Sequence, residues 1–168
     1  MNLQELTNIV ETFTKKDLNK LKYEIELSNE IFIIGNGGSN SIASHMAVDY
    51  SKFLNKRCFV PNASDLITMM VNDYGYDEMY SKFLTSNFNS SIKSLAILIS
   101  SSGNSNNILE AAKTCDTLKI PMIILSGFEE NNKLNSYKSD SVRMKLWINS
   151  KSYGVVEMSH HIFLHAII

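Results

Sequence analysis

The chain has 168 residues, 16 basic and 17 acidic side chains and a net charge of −1. That balance excludes a basic surface for DNA or RNA, and the length suits one domain with a substantial core. The two cysteines, Cys58 and Cys115, stand at no metal-binding or redox spacing, which fits a reducing compartment. No basic-then-apolar leader opens the chain, and no apolar run approaches the ~20 residues of a membrane span, so a cytoplasmic setting is expected.

In chain order, Leu3, Leu6, Ile9, Val10 and Phe13 stand at helical spacing. Asp17 then caps a second amphipathic stretch carrying Leu18, Leu21 and Ile25. Residues 1–28 therefore read as a helical segment that packs on a sheet or on a partner subunit, within a single domain spanning 1–168. Apolar runs at Ile31–Ile34, Cys58–Val60, Leu95–Ile99, Pro121–Leu125 and Val142–Ile148 predict strands. Those at 31–34, 95–99 and 121–125 are almost wholly apolar, as strands buried on both faces must be. Helical patterns fall between them at Ser39 to Leu54, Glu78 to Phe88, Ser105 to Leu118 and Val155 to Ile168. The alternation predicts an α/β three-layer sandwich around a five-stranded, mainly parallel sheet, with the N-terminal helices added. Ligands of such sheets bind at the carboxyl ends of strands, near the reversal of strand order.

Two turns there have unusual composition. Gly35-Asn36-Gly37-Gly38-Ser39 follows the first strand, and Ser100-Ser101-Ser102-Gly103-Asn104-Ser105 follows the third. Each precedes a helix. Glycine lets backbone N–H groups approach an anion, a helix N-terminus adds partial positive charge, and serine hydroxyls donate hydrogen bonds without bulk. Either turn alone is equally well read as a plain capped turn; two in one small α/β domain favour a phosphate site. The first is neither a dinucleotide fingerprint nor a P-loop: Asn40 stands where the former needs glycine, and no Gly-Lys-Ser/Thr follows.

All four histidines lie on two helical segments. His45 and Asp49 are spaced i,i+4 on the helix after the first turn. The last helix carries Glu157, His160, His161 and His165, of which Glu157, His161 and His165 fall within about 80° of one another around the axis. If the two helices meet, they form a set able to bind a transition metal or to move protons. A surface ion pair at 45/49 and a backbone-bonded histidine at 160 or 161 are the plain alternatives. The apolar neighbours Ile162, Phe163, Leu164, Ala166, Ile167 and Ile168 require the ionisable groups among them to be partnered, and suggest burial in a subunit interface.

In these motifs, "GNGGSNSIASHMAVD", "VNDYGYDEMYSK", "SSSGNSNNILEA" and a closing helix with Glu157 and His165 eight residues apart, the chain resembles the sugar isomerase (SIS) domains, and among them the phosphoheptose isomerases. The likeness runs from about Ile31 to His165. It implies a flavodoxin-like sheet, a homotetramer and a cytoplasmic enzyme of carbohydrate metabolism. The implied reaction interconverts sedoheptulose 7-phosphate and D-glycero-D-manno-heptose 7-phosphate through an enediol, supplying lipopolysaccharide or capsule heptose. The resemblance places substrate contacts at Asn36, Gly37, Gly38 and Ser39, at Asn72 and Asp73, at Glu157, and phosphate contacts at Ser100, Ser101, Ser102 and Ser105. It places a metal, zinc with manganese or iron also compatible, on His45, Asp49, Glu157 and His165, and acid/base work on Asp49 and His165.

This sequence departs from the family pattern in carrying Asp49 for Glu and Glu157 for Gln. The first change shortens reach by roughly 1.5 Å, where a misplacement of ~1 Å can cost ~100-fold in rate. Only Ala166, Ile167 and Ile168 follow His165, fewer helical turns than the resemblance implies. The competing reading is a non-catalytic SIS module that binds a phosphosugar or a protein partner, such as a replication initiator. Such a module needs the serine turn but not the histidine–carboxylate set.

Overall fold

Every apolar run read as a strand is one, in a computed structural model that describes Met1 to Ile168. The strands are β1 (Glu30–Gly35), β2 (Arg57–Phe59), β3 (Ser94–Ser100), β4 (Met122–Gly127) and β5 (Val142–Ile148). They form one sheet in the order β2-β1-β3-β4-β5 with every pair parallel, so the sheet has no antiparallel edge. The chain leaves β1 in one direction to form β2 and returns across it to form β3. The reversal of strand order, where a crevice opens at the carboxyl ends, therefore lies between β1 and β3.

Alternation along each strand divides the core in two. Phe32, Ile34, Ala96 and Leu98 face α4 (Ser64–Tyr74), α5 (Met79–Asn87) and α6 (Asn106–Leu118). Ile31, Ile33, Ile97 and Ile99 face α2 (Lys15–Leu27), α3 (Gly38–Leu54) and α7 (Tyr153–His165). Both faces are covered, which is why β1, β3 and β4 are buried along their whole length.

In the N-terminal segment, α2 buries Leu21 and Ile25 in the second core, whereas α1 (Leu3–Val10) buries no residue and lies along α7. Phe13, between them, meets Phe163 of α7 edge-on at 5.1 Å between ring centres. The cap of α2 is Thr14, with Asp17 reaching back to it in a capping box, one turn earlier than the sequence pattern suggests. Helix α4 has no counterpart among the predicted elements. Its apolar stripe of Leu66, Ile67, Met70 and Val71 is short, its start at Ala63 has no side-chain cap, and packing on the first core sustains it. Helix α7 starts at Tyr153, ahead of Val155, and closes at His165 rather than running to Ile168. No helix is long and apolar enough to cross a membrane.

Candidate active site

The glycine turn leaves β1 and becomes the first residues of α3. Gly37, the N-cap, has a φ of +52°, a conformation that a side chain would strain. Gly38 is required for a different reason: a Cβ there would lie 2.5 Å from both carboxylate oxygens of Glu157. The space that Gly38 leaves is thus occupied by Glu157 of α7, not held open for a ligand. Burial pushes the Glu157 carboxyl upward in pKa. Ser39 is buried in the turn.

Asn36 does not reach out to solvent either. Its amide exchanges hydrogen bonds with that of Asn107 at the start of α6: Nδ2 donates to Asn107 Oδ1 at 2.9 Å, and Asn107 Nδ2 donates back at 3.0 Å. The hydroxyls of Tyr76 and Tyr80 also donate to Asn36 Oδ1, at 3.1 and 3.0 Å, and Tyr80 donates to the Gly35 carbonyl at 2.7 Å. This clasp fastens the turn after β1 to the helix that follows the turn after β3. The motif around Asn72 and Asp73 therefore reaches the site through its tyrosines. Asn72 and Asp73 themselves are exposed, and the only side-chain hydrogen bond either makes is the 2.8 Å one between them.

In the serine turn, Ser100 Oγ accepts from the Gly103 amide at 3.1 Å and donates to Ser105 Oγ at 3.3 Å. Ser101 is buried with its hydroxyl unpartnered. Ser102 and Ser105 remain part-exposed at the mouth of the turn. Gly103 has a φ of +64°, and a Cβ on it would come 1.9 Å from Asn132 Oδ1. Asn132 is itself buried, donating to the carbonyls of Gly127 at 3.0 Å and Glu129 at 2.7 Å.

The closing helix does fold back onto α3. Asp49 Oδ2 lies 3.0 Å from His45 Nε2 and 3.1 Å from His165 Nε2. Both imidazoles are half exposed and the carboxylate is 14 % exposed. The pairing is held in register by the adjacent residues: the buried Tyr50 hydroxyl donates to the Leu164 carbonyl at 2.8 Å. One ligand atom from each of His45, Asp49 and His165 lies within 4.8 Å of the others. Two imidazoles and one carboxylate in that space form a donor set suited to zinc, manganese or iron. Glu157 stands outside this group of three. It shares the azimuth of His165 but stands eight residues away, about 12 Å along the helix axis.

The other two histidines have separate surroundings. His160 is fully buried, and its Nε2 donates to the Ser126 carbonyl at 3.0 Å, tying α7 to β4. Burial lowers its pKa from 6.5 to about 4. The unfolded chain takes up a proton near pH ~6.5 that the native imidazole resists down to about 4. This contribution to stability is complete above that window and lost as pH falls through it, at up to ~1.4 kcal/mol per pH unit. His160→Gln should flatten this acid limb when urea unfolding is followed at stepped pH. His161 lies against His45, with ring centres 4.7 Å apart, and 6.2 Å from His165. Desolvation and the two neighbouring imidazoles lower its pKa, with Asp49 opposing.

A recess of about 430 Å³ lined by His45, His161, Ile162, His165 and Ala166 opens over this cluster. A larger cavity of about 660 Å³ lies at the other end of the sheet, bounded by Lys20, Lys93, Lys119 and Arg143, and contains none of the motif residues. Size does not single out the motif residues; the ligand atoms of His45, Asp49 and His165 converge at the smaller recess.

The sequence profile of the SIS domain family matches residues 5–127. The chain belongs to the SIS domain family. Among curated SIS relatives, a phosphoheptose isomerase from Mycobacterium tuberculosis (strain ATCC 25177 / H37Ra) is 31% identical over 144 residues, covering 82% of this chain and 69% of that protein. One from Campylobacter concisus is 29% identical, covering 82% of this chain and 72% of its own length. Among solved SIS structures, the phosphoheptose isomerase of Neisseria gonorrhoeae superposes with a TM-score of 0.85 at 22% identity, covering 96% of this chain and 88% of that one. That likeness shows the same fold.

Proposed function

We propose that this SIS domain is a phosphoheptose isomerase, an intramolecular oxidoreductase converting sedoheptulose 7-phosphate into D-glycero-D-manno-heptose 7-phosphate. The observation that carries the reading is Asp49 set between His45 and His165, at 3.0 and 3.1 Å, in a chain 31% identical to a phosphoheptose isomerase. A module that only binds a phosphosugar needs the serine turn but has no use for that triad.

The reaction moves one proton between two carbons. A base takes a proton from C1 of the ketose, the C1–H electrons form the C1–C2 double bond, and the carbonyl oxygen on C2 takes up a proton. The resulting enediol then loses its C1 hydroxyl proton, C1–O becomes the carbonyl, and C2 accepts a proton on carbon. Charge and proton count close without an external oxidant. Asp49 and His165 share these transfers; at 3.1 Å from each other, one can hold a proton as the other yields it. His45 Nε2 stands 3.0 Å from the same carboxylate oxygen and helps fix its direction. A metal bound by His45, Asp49 and His165 would supply electrophilic stabilisation of the developing oxyanion.

Ser102 and Ser105, with the amides of the turn and the start of α6, hold the phosphate away from the reacting carbons. Ser102→Ala and Ser105→Ala should each raise KM several-fold and leave kcat within about two-fold, since one neutral hydrogen bond contributes roughly 0.5–1.5 kcal/mol. Asn72 and Asp73 serve as outer contacts to sugar hydroxyls. The exposed Val48, Ile162 and Ile168 near the histidines form a face for a second copy of the chain in a homo-oligomer. The enzyme acts in the cytoplasm, and its product feeds surface-polysaccharide heptose. The direct test is appearance of the aldose 7-phosphate from sedoheptulose 7-phosphate, with and without chelator. No turnover of that ketose by purified, folded protein would overturn the reading.

A further inference from the structure

The cavity of about 660 Å³ at the amino ends of the strands has no part in the reaction outlined above. Its size falls in the range of small-molecule sites, roughly 300–1,000 Å³. Lys20, Lys93, Lys119 and Arg143 border it against one carboxylate, Glu24, and Lys20 takes that carboxylate at 2.8 Å. Lys93, Lys119 and Arg143 form no ion pair. Lys119 and Arg143 also border a recess that holds Asp116 and Asp140, but Asp116 accepts from the hydroxyls of Tyr137 and Ser139 instead, and Asp140 is exposed. Leu27, Phe88 and Leu118, at the C-terminal ends of α2, α5 and α6, line the cavity. The partial charges of those helix ends, about half a unit each, offset part of the three cations and leave an excess of about one and a half positive charges.

Two of these cations sit on irregular backbone. Lys119 closes α6 in the left-handed conformation, with a φ of +57°, where glycine is the favoured residue. Arg143 is the extra residue of a bulge in β5: Met122 pairs with Val142 and Ile123 with Met144, and no residue of β4 stands opposite Arg143. Bulges of this kind redirect a side chain relative to its neighbours. Lys93 is fixed through its carbonyl, which accepts from the amides of Asn29 at 2.8 Å and Glu30 at 3.2 Å. Compensation of a helix dipole explains a cation at the end of α6, but not Lys93 ahead of β3 or Arg143 on a strand. The rest of the wall is aromatic and aliphatic, with Tyr23 and Leu27 exposed beside the half-buried Phe88. We propose that this cavity binds a nucleoside diphosphate, its phosphates on Lys93, Lys119 and Arg143 and its base against Tyr23, Leu27 and Phe88. Ammonium and guanidinium groups hold phosphate oxygens by charge-assisted hydrogen bonds, and a planar base matches a wall of aromatic and aliphatic side chains.

Isothermal titration calorimetry of the full chain with ADP, GDP, CDP and UDP, each set beside inorganic pyrophosphate, tests this. At least one nucleotide should bind with a Kd below about 1 mM, and about ten-fold or more tightly than pyrophosphate. Lys119→Gly and Arg143→Gln should each weaken that nucleotide roughly five-fold or more, as the loss of a charge-assisted hydrogen bond requires. Glycine suits the backbone at 119, so weaker binding there does not report a folding defect. Lys22→Gln, which removes an exposed cation of α2 outside the cavity, should leave the affinity unchanged. Tyr23→Ala should narrow the gap between nucleotide and pyrophosphate. Pyrophosphate binding as tightly as every nucleotide would reduce the cavity to a plain anion site and overturn the proposal. Equal affinity in wild type, Lys119→Gly and Arg143→Gln would place the nucleotide elsewhere and overturn it too, as would no binding of any of the four. The titrations contain no sedoheptulose 7-phosphate, so their outcome is independent of the isomerase reading.

Discussion

His165→Ala should lower kcat by roughly 10²–10⁴-fold, the range expected for losing a positioned acid/base group, with a much smaller change in KM. The imidazole is half exposed, with its Nε2 3.1 Å from Asp49 Oδ2, so its removal opens no cavity. Global stability should therefore move by no more than about 0.5 kcal/mol, as for other exposed positions. That separation of effects is the check: steady-state kinetics on sedoheptulose 7-phosphate beside urea unfolding. Asp49→Ala should give a similar loss, and the double variant little more than either alone, because the two act as one proton-transfer unit. A His165→Ala enzyme as active as wild type would remove both residues from the chemistry.

Gly103→Ala should destabilise the protein by roughly 3–5 kcal/mol, combining a left-handed backbone conformation with steric overlap in a packed interior. The added Cβ would stand 1.9 Å from Asn132 Oδ1, in a place where Asn132 cannot easily yield. Asn132 holds the carbonyls of Gly127 and Glu129, and its Oδ1 accepts from the Asn135 amide at 2.8 Å. The Gly103 carbonyl in turn accepts from the Leu134 amide at 2.8 Å. The serine turn and the segment after β4 are thus one hydrogen-bonded body, and a methyl group between them must break part of it. Chemical denaturation checks the size of the effect.

The sheet was legible because strands buried on both faces have a simple signature: Ile31–Ile34, Leu95–Ile99 and Ile123–Leu125 tolerate nothing polar. The glycine and serine turns were legible as strand-to-helix junctions, since glycine and small polar residues mark where the chain leaves a strand and caps a helix. Helix α4 was not, because its short apolar stripe depends on tertiary packing. Azimuth around α7 brought His165 towards Asp49, but a projection down the axis discards rise, and Glu157 lies against Gly38, outside the group of His45, Asp49 and His165. Asn107, Tyr80 and Tyr50 were beyond reach for another reason. Their partners lie 71, 44 and 114 positions away, at Asn36, again Asn36, and Leu164, and no local pattern reports such a pairing.

The reciprocal amide bonds between Asn36 and Asn107 bear on how a ligand is received. The turn after β1 and the first turn of α6 are already coupled in the absence of a ligand, so a molecule received between them has little ordering entropy left to remove. Entry should then resemble docking into a rigid cleft, with affinity expressed mainly through the rate of escape.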